Sequence, residues 1–236
     1  MENCIDYGKY NSGGFLLWIG EKARRKMFAH FMACVKPSAN DYVLDVGVTP
    51  NNGLSGNNFF EKLYPYTQNI TMCAPEDAAF LEQDFSGAKF VRNIPGKPLP
   101  FADKQFDIVV CWAVLEHTGD YPQQFEFLKE LLRVGKRLYL TTPNKWFPIE
   151  IHTVLPFVHW LPREIHQKIL RILGMTFYAD TNNLNLLTAT NLREMFRSII
   201  TPPNILQNMF SQNLRVTIKH HFICFYGTRM QYAAYS

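Results

Sequence analysis

Three short stretches place carboxylate, imidazole and glycine residues where they could do chemistry. In VLDVGVTPNN, Val43 to Asn52, Asp45 interrupts an apolar run and Gly47 follows where the chain must turn. A carboxylate near a strand end, then a residue without a Cβ, suits close approach of a ligand to the backbone. A plain turn in which Asp45 caps a nearby helix is the bland alternative. In PLPFADKQFDIVVCWAVLEHTGD, Pro98 to Asp120, Glu116 and His117 stand side by side a few residues after an apolar run, with Trp112 and Ala113 just before them. This Glu-His pair should start a helix, where it either faces a ligand or merely caps the turn. Trp112 either stacks on a ligand or fills a core. In TTPNKWFPIEIHTVLPFVHWLP, Thr141 to Pro162, Glu150 and His152 lie two residues apart. In an extended segment they point the same way, and a carboxylate can then orient an imidazole as a general base; packing on the sheet is the alternative. No metal is expected from His152, His159 and His166, because their spacings match no ligand signature and no cysteine joins them.

The elements that must position these residues follow from apolar periodicity. Glu21 to Val35 puts Ala23, Met27, Phe28, Phe31, Met32 and Val35 on one helical face, with Lys22, Arg24, Arg25 and Lys26 mostly elsewhere. Strand-like runs at Tyr42–Val46, Ile70–Cys73, Lys89–Val91, Asp107–Cys111 and Leu138–Thr141 are separated by helical stretches near Asn58–Leu63, Glu76–Asp84 and Pro122–Val134. Strands alternating with helices predict a doubly wound α/β sheet with parallel pairing. Arg215–His220 and Phe222–Gly227 have almost no connection between them and predict an antiparallel hairpin at the sheet edge, for seven strands in all. Between Thr142 and Thr188 the rhythm breaks into a stretch rich in Trp, Phe, Pro and His, which reads as an inserted cap. Its segment Pro162–Leu173 predicts an amphipathic basic helix, a soluble cap element that could also rest weakly on a membrane surface.

Composition narrows the class. At 236 residues the chain suits one domain, 1–236, able to bury a core without disulfides or metals. Aromatic residues make up 14 %, more than one core readily consumes, so some should line a pocket. A net charge of +4 implies no nucleic-acid groove. Five dispersed cysteines form neither a CxxC pair nor a disulfide pattern, which suits a reducing compartment. The longest apolar run, Ile108–Leu115, is far short of a bilayer span, and no leader pattern is visible, so a cytoplasmic protein is expected. Oligomeric state cannot be read.

The run of Leu-Pro-Phe at 99–101, Phe-Asp at 106–107 and Val-Leu-Glu-His at 114–117 resembles the class I S-adenosylmethionine-dependent methyltransferases, in the subgroup with the LPF, FD and VLEH pattern. In that family an Asp-x-Gly-x-Gly-x-Gly loop precedes the run, and Val43 to Asn51 stands where it should be. Asp45 and Gly47 are kept, while Thr49 and Asn51 replace the next two glycines. The resemblance implies S-adenosylmethionine as cofactor, with Asp45, Gly47 and Val48 at its methionine end. The family's ribose-gripping acid is replaced near Ala74, and Glu76 is the substitute candidate. The adenine-side acid is absent, with Asn93 and Ile94 at its place. Trp112, Ala113 and His117 would face the cofactor after the fourth strand. The implied function is methyl transfer to a small or lipid-like acceptor, with His152 and Glu150 on the acceptor side. The alternative is a binding or scaffold protein that kept the fold and lost the cofactor. A nicotinamide oxidoreductase would need G-x-G-x-x-G and an acid about 20 residues on, and neither is present.

Overall fold

Five strands alternate with helices, and each places one residue in two on either face. In the computed structural model, which describes residues 14–51, 53, 56–200, 214–219 and 222–228, these strands are β1 (Val43–Val46), β2 (Ile70–Ala74), β3 (Lys89–Arg92), β4 (Phe106–Trp112) and β5 (Gly135–Pro143). They pair in parallel in the order β3-β2-β1-β4-β5. Order reverses between β1 and β4, so the crevice above their carboxyl ends is the place where such a sheet takes a ligand. Leu44, Val109 and Cys111 face helices α4 (Tyr121–Val134) and α6 (Ala189–Ile200), where they meet Leu128, Leu131, Leu192 and Phe196. Val43, Ile108 and Val110 face the opposite layer, built from α1 (Gly14–Val35), α2 (Phe59–Leu63) and α3 (Leu81–Asp84) through Phe31, Val35, Phe60 and Leu81. Period-two alternation in strands buried on both faces produces these two half-cores.

Two boundaries depart from the sequence reading. The helix expected over Glu76–Asp84 shrinks to Leu81–Asp84, because the Asp77 carboxylate accepts from the Ala79 amide and holds a turn there. Glu116 and His117 do not start α4. They sit in a single 3-10 turn, Leu115–His117, and Gly119, at φ +104°, separates that turn from the helix. The helix begins instead at Tyr121, where Asp120 and Gln123 form a reciprocal capping box. This detour frees the Glu-His pair from helical geometry and leaves it above the sheet.

The Leu-Pro-Phe turn has its own clamp. Arg133 on α4 donates to the Leu99 and Phe101 carbonyls and pairs with Glu130 and Asp103, while Glu130 accepts from the Leu99 amide. After β5 the chain forms a small unit of its own. Asn144 bridges Leu187, Ile149 bridges Pro156, and helix α5 (Arg163–Ile172) buries Leu170 against Tyr178, Ala179 and Leu184. Val154, at φ 58°, is a β-branched residue in the left-handed region, a costly conformation that surrounding contacts must impose. Trp146, Phe157 and Trp160 form an exposed aromatic cluster on this unit, with Phe157 and Trp160 ring centroids 4.9 Å apart. Cys34, Cys73 and Cys111 form no disulfide, and no helix among the described residues is long and apolar enough to cross a membrane. Cys4 and His220 lie outside the described residues.

Candidate active site

A cavity of about 1610 Å³ opens above the carboxyl ends of β1, β2 and β4. Its floor is the loop after β1. Gly47 adopts φ +110°, and a Cβ built there would lie 2.1 Å from Val114 Cγ2, so only glycine lets this loop pass the one after β4. Beyond it, side-chain amides shape the loop. Thr49 donates its amide to Asn58 Oδ1 at 3.0 Å, and Asn58 Nδ2 returns a bond to the Thr49 carbonyl at 3.0 Å. Asn51 Oδ1 accepts from the Gly53 amide, and Asn57 reaches the Asn51 carbonyl. Asn58 itself takes φ 48°, the positive-φ role that asparagine fills better than most residues.

Under the loop, Asp45 (4 % exposed) meets Glu61 of α2 (2 % exposed), and the two carboxyl groups contact each other. No protein donor reaches either Glu61 oxygen. Burial, then the neighbouring negative charge, pushes Asp45 well above the usual carboxylate range; burial raises Glu61 too, so the pair keeps a proton. The folded state therefore binds a proton that the unfolded chain has released, and its stability falls as pH rises from the ordinary carboxylate range through the raised value, by about 1.4 kcal/mol per unit per proton. Glu61→Gln supplies an amide donor to Asp45 and should flatten that slope. Urea unfolding at pH 5 and pH 8 should show the variant gaining on wild type as pH rises; a constant difference would dissociate the pair from any shared proton. Close by, Arg24 of α1 reaches over the same loop, within 2.5 Å of the Cβ position of Gly56, and burial lowers its pKa against the field of Glu21.

The same cavity is lined by an acid-imidazole cluster. Glu150 accepts from the His152 amide, His152 Nδ1, the Thr153 amide and the Thr153 hydroxyl at 2.6 to 3.0 Å. Burial opposes ionisation of Glu150, but the His152 charge and these four bonds outweigh it and hold the carboxyl down at about 2. For His152 burial favours the neutral ring, and the Glu150 carboxylate overrides it, raising its pKa. The His152 ring lies edge-on to His117, centroids 4.8 Å apart. His117 Nδ1 donates to the Asn183 carbonyl at 2.7 Å, and burial, followed by the His152 charge, drives its pKa down to about 3. Glu116 is wholly buried; Thr142 Oγ1 donates to its Oε2 at 3.0 Å, and burial pushes it up to about 7.

The remaining candidates line the same cavity. Glu76 and Asn93 stand beyond β2 and β3, with Asn93 Oδ1 3.6 Å from Cys73 Sγ, and Ile94 is exposed beside them. Trp112 packs among Phe31, Phe59, Phe60 and Tyr139, and its Nε1 is buried with no acceptor. Ala113 takes φ 56° and donates its amide to the Thr141 carbonyl.

The profile of a family described as a methyltransferase domain matches residues 3–199. The chain belongs to this methyltransferase family. Ubiquinone biosynthesis O-methyltransferase of Coxiella burnetii is 27 % identical over 94 residues, or 38 % of this chain and 40 % of that protein, so the match spans less than half of the curated relative. Among solved structures, an S-adenosylmethionine-dependent methyltransferase from Methanosarcina mazei superposes with a TM-score of 0.52 at 14 % identity, covering 85 % of this chain and 98 % of that one. Magnesium protoporphyrin IX methyltransferase from Synechocystis PCC 6803, solved with S-adenosylhomocysteine, gives a TM-score of 0.50 at 15 % identity over 94 % and 96 % of the two chains. These structures share the class I Rossmann-like fold.

Within the methyltransferase fold, the cavity gathers Asp45, Gly47, Val48, Glu76, Asn93, Ile94, Trp112, Ala113, His117, Glu150 and His152, although they come from five separate segments. The residues fit a nucleoside joined to an amino acid. Trp112 Nε1 lacks an acceptor, Arg24 brings positive charge to the loop, and the cavity is large enough. Asp45, expected at the cofactor with helix capping as the alternative, has Glu61 as its side-chain partner. Two residues of the site carry no functional reading from the sequence: Arg24, which falls on the polar face of α1, and Glu61, whose place directly after Phe59 and Phe60 is the one signal of its burial.

Proposed function

We propose that the chain transfers the methyl group of S-adenosylmethionine to a nucleophile on a small or lipid-like acceptor, acting as one domain in which 142–188 caps the acceptor site. One observation carries this reading: the buried Glu150–His152 pair opens onto the same cavity as Asp45 and Gly47. The fold is extended in the same sense by strands β6 (Leu214–Lys219) and β7 (Phe222–Thr228), whose antiparallel pairing with each other and of β7 with β5 supports a seven-stranded sheet.

The cofactor supplies a methyl group on a positively charged sulfur. The protein's part is to bind, align and remove a proton. Gly47 and Val48 let the backbone approach the methionine end, and Arg24 offers a cation to its carboxylate. Glu76 would hold the ribose, Asn93 and Ile94 the base, and Trp112 with Ala113 would close the wall beside it. On the acceptor side Glu150 fixes the proton on His152 Nδ1, so Nε2 takes the proton that the acceptor nucleophile gives up, with His117 against the ring. With the cofactor bound, the nucleophile's electron pair would form the new bond to the methyl carbon as the carbon–sulfur bond broke toward sulfur. An acceptor with an apolar body suits the wall formed by Phe147, Ile149, Ile151 and Val154. The names of two similar proteins, for ubiquinone biosynthesis and magnesium protoporphyrin IX, support that choice.

S-adenosylhomocysteine is expected to bind with a micromolar dissociation constant, about 7 to 8 kcal/mol. Isothermal titration at roughly 100 μM protein, with a thermal shift at saturating ligand, measures it. Neither heat nor shift would leave a binding or scaffold protein on a methyltransferase fold.

A further inference from the structure

We propose that Glu116, His117 and His152 form a site for one divalent first-row transition-metal ion on the acceptor side of the cavity. One ligand atom from each lies within 4.8 Å of the other two. An ion about 2.1 Å from each would draw them to about 3.4 Å apart, a closure within reach of side-chain torsions.

Two observations point to a ligand independently of that clustering. Glu116 is 0 % exposed, yet its Oε1 has no hydrogen-bond donor, and it faces His117 Nε2 at 4.0 Å. Each of the three groups is also held from behind at its other polar atom. Glu150 grips His152 Nδ1 at 2.6 Å, the Asn183 carbonyl grips His117 Nδ1 at 2.7 Å, and Thr142 grips Glu116 Oε2 at 3.0 Å. A carbonyl or carboxylate on Nδ1 sets the tautomer in which Nε2 carries the lone pair, the arrangement found behind metal-ligating histidines. Two imidazoles and one carboxylate favour a transition ion over magnesium or calcium, which prefer all-oxygen sets. Sequence spacing hid the site, since its third ligand comes from the segment after β5, 35 residues from His117. His159, from the histidine trio set aside on its spacing, commits its Nε2 to the Phe147 carbonyl.

Three protein ligands leave coordination positions open toward the cavity. The ion's role rests on the methyl-transfer reading: a hydroxyl acceptor held there would lose its proton to solvent near neutral pH, and its oxygen pair would then form the O–CH3 bond as the S–CH3 bond breaks toward sulfur. With the ion bound, His152 would serve as a ligand, and the proton transfer assigned to it above describes the metal-free protein.

The test uses Co2+ alone, added to tag-free, chelator-stripped full-length protein. One equivalent should produce a ligand-field absorption in the visible, and His152→Ala should weaken Co2+ binding at least about 100-fold. Glu116→Gln, which keeps the shape of a wholly buried side chain, should do the same. No band in the wild type, or binding undiminished in folded His152→Ala, overturns the site. S-adenosylhomocysteine titrated into the stripped wild type is read separately. Cofactor binding without Co2+ binding removes the ion and leaves methyl transfer standing; Co2+ binding without cofactor binding keeps the site and removes its role in methyl transfer.

Discussion

Gly47→Ala is expected to destabilise the protein by about 2 to 4 kcal/mol and to remove binding of S-adenosylhomocysteine. Two separate costs add. The residue sits at φ +110°, which an L side chain adopts only under strain of about 1 to 3 kcal/mol, and the new Cβ would stand 2.1 Å from Val114 Cγ2. Relief requires the β1 or β4 loop to move, and both loops line the cavity. Adding Val114→Ala should recover the contact part of the loss and leave the strain. Urea unfolding of the two variants separates these parts, and titration reports the site. A folded Gly47→Ala protein that binds the ligand with unchanged affinity would exclude the loop after β1 from the cofactor site.

His152→Ala should lower turnover about 10²- to 10⁴-fold on any acceptor the wild type methylates, the range for losing a general base. Cofactor affinity should stay within a few-fold of wild type, because His152 is held by Glu150 and packs on His117 and Tyr178. The loss should fall on kcat and on kcat/KM alike, as for a group that acts only in the transition state. Unchanged turnover would reduce the Glu150–His152 pair to a packing element. Glu150→Gln offers a graded control. It removes the carboxylate charge that raises the His152 pKa while retaining an oxygen to accept hydrogen bonds, so the activity-pH profile should shift where a purely structural role would leave it in place.

Much of the sheet was legible because local pattern and tertiary role coincide there. Val43 to Val46 and Ile108 to Cys111 are buried on both faces, and short runs this rich in apolar residues have few other homes. Gly47 was legible for a similar reason, since a strand must leave the sheet and glycine is the residue that can do so against a neighbour. Helix Leu81–Asp84 was overextended because the Asp77 turn competes locally with helical bonding and propensity sums do not register it.

The amino-acid order by itself determined the alternation of strand and helix and the β1 loop with its Asp and Gly, whereas Glu150 and His152 meet through a turn closed by the Val154 amide on the Glu150 carbonyl and not through the expected extended segment. Those features depend on neighbours in the chain, whose geometry is set by backbone dihedrals. Tertiary structure alone decided that Asp45 meets Glu61, that Arg24 turns toward the loop, and that Glu116 and His117 face His152. Each of these joins residues from different elements, and their separation depends on how the helices pack and where the segment after β5 folds back. Burial then sets their chemistry, because removal from water, followed by the charge of a neighbour, raises the Asp45 pKa and lowers that of His117.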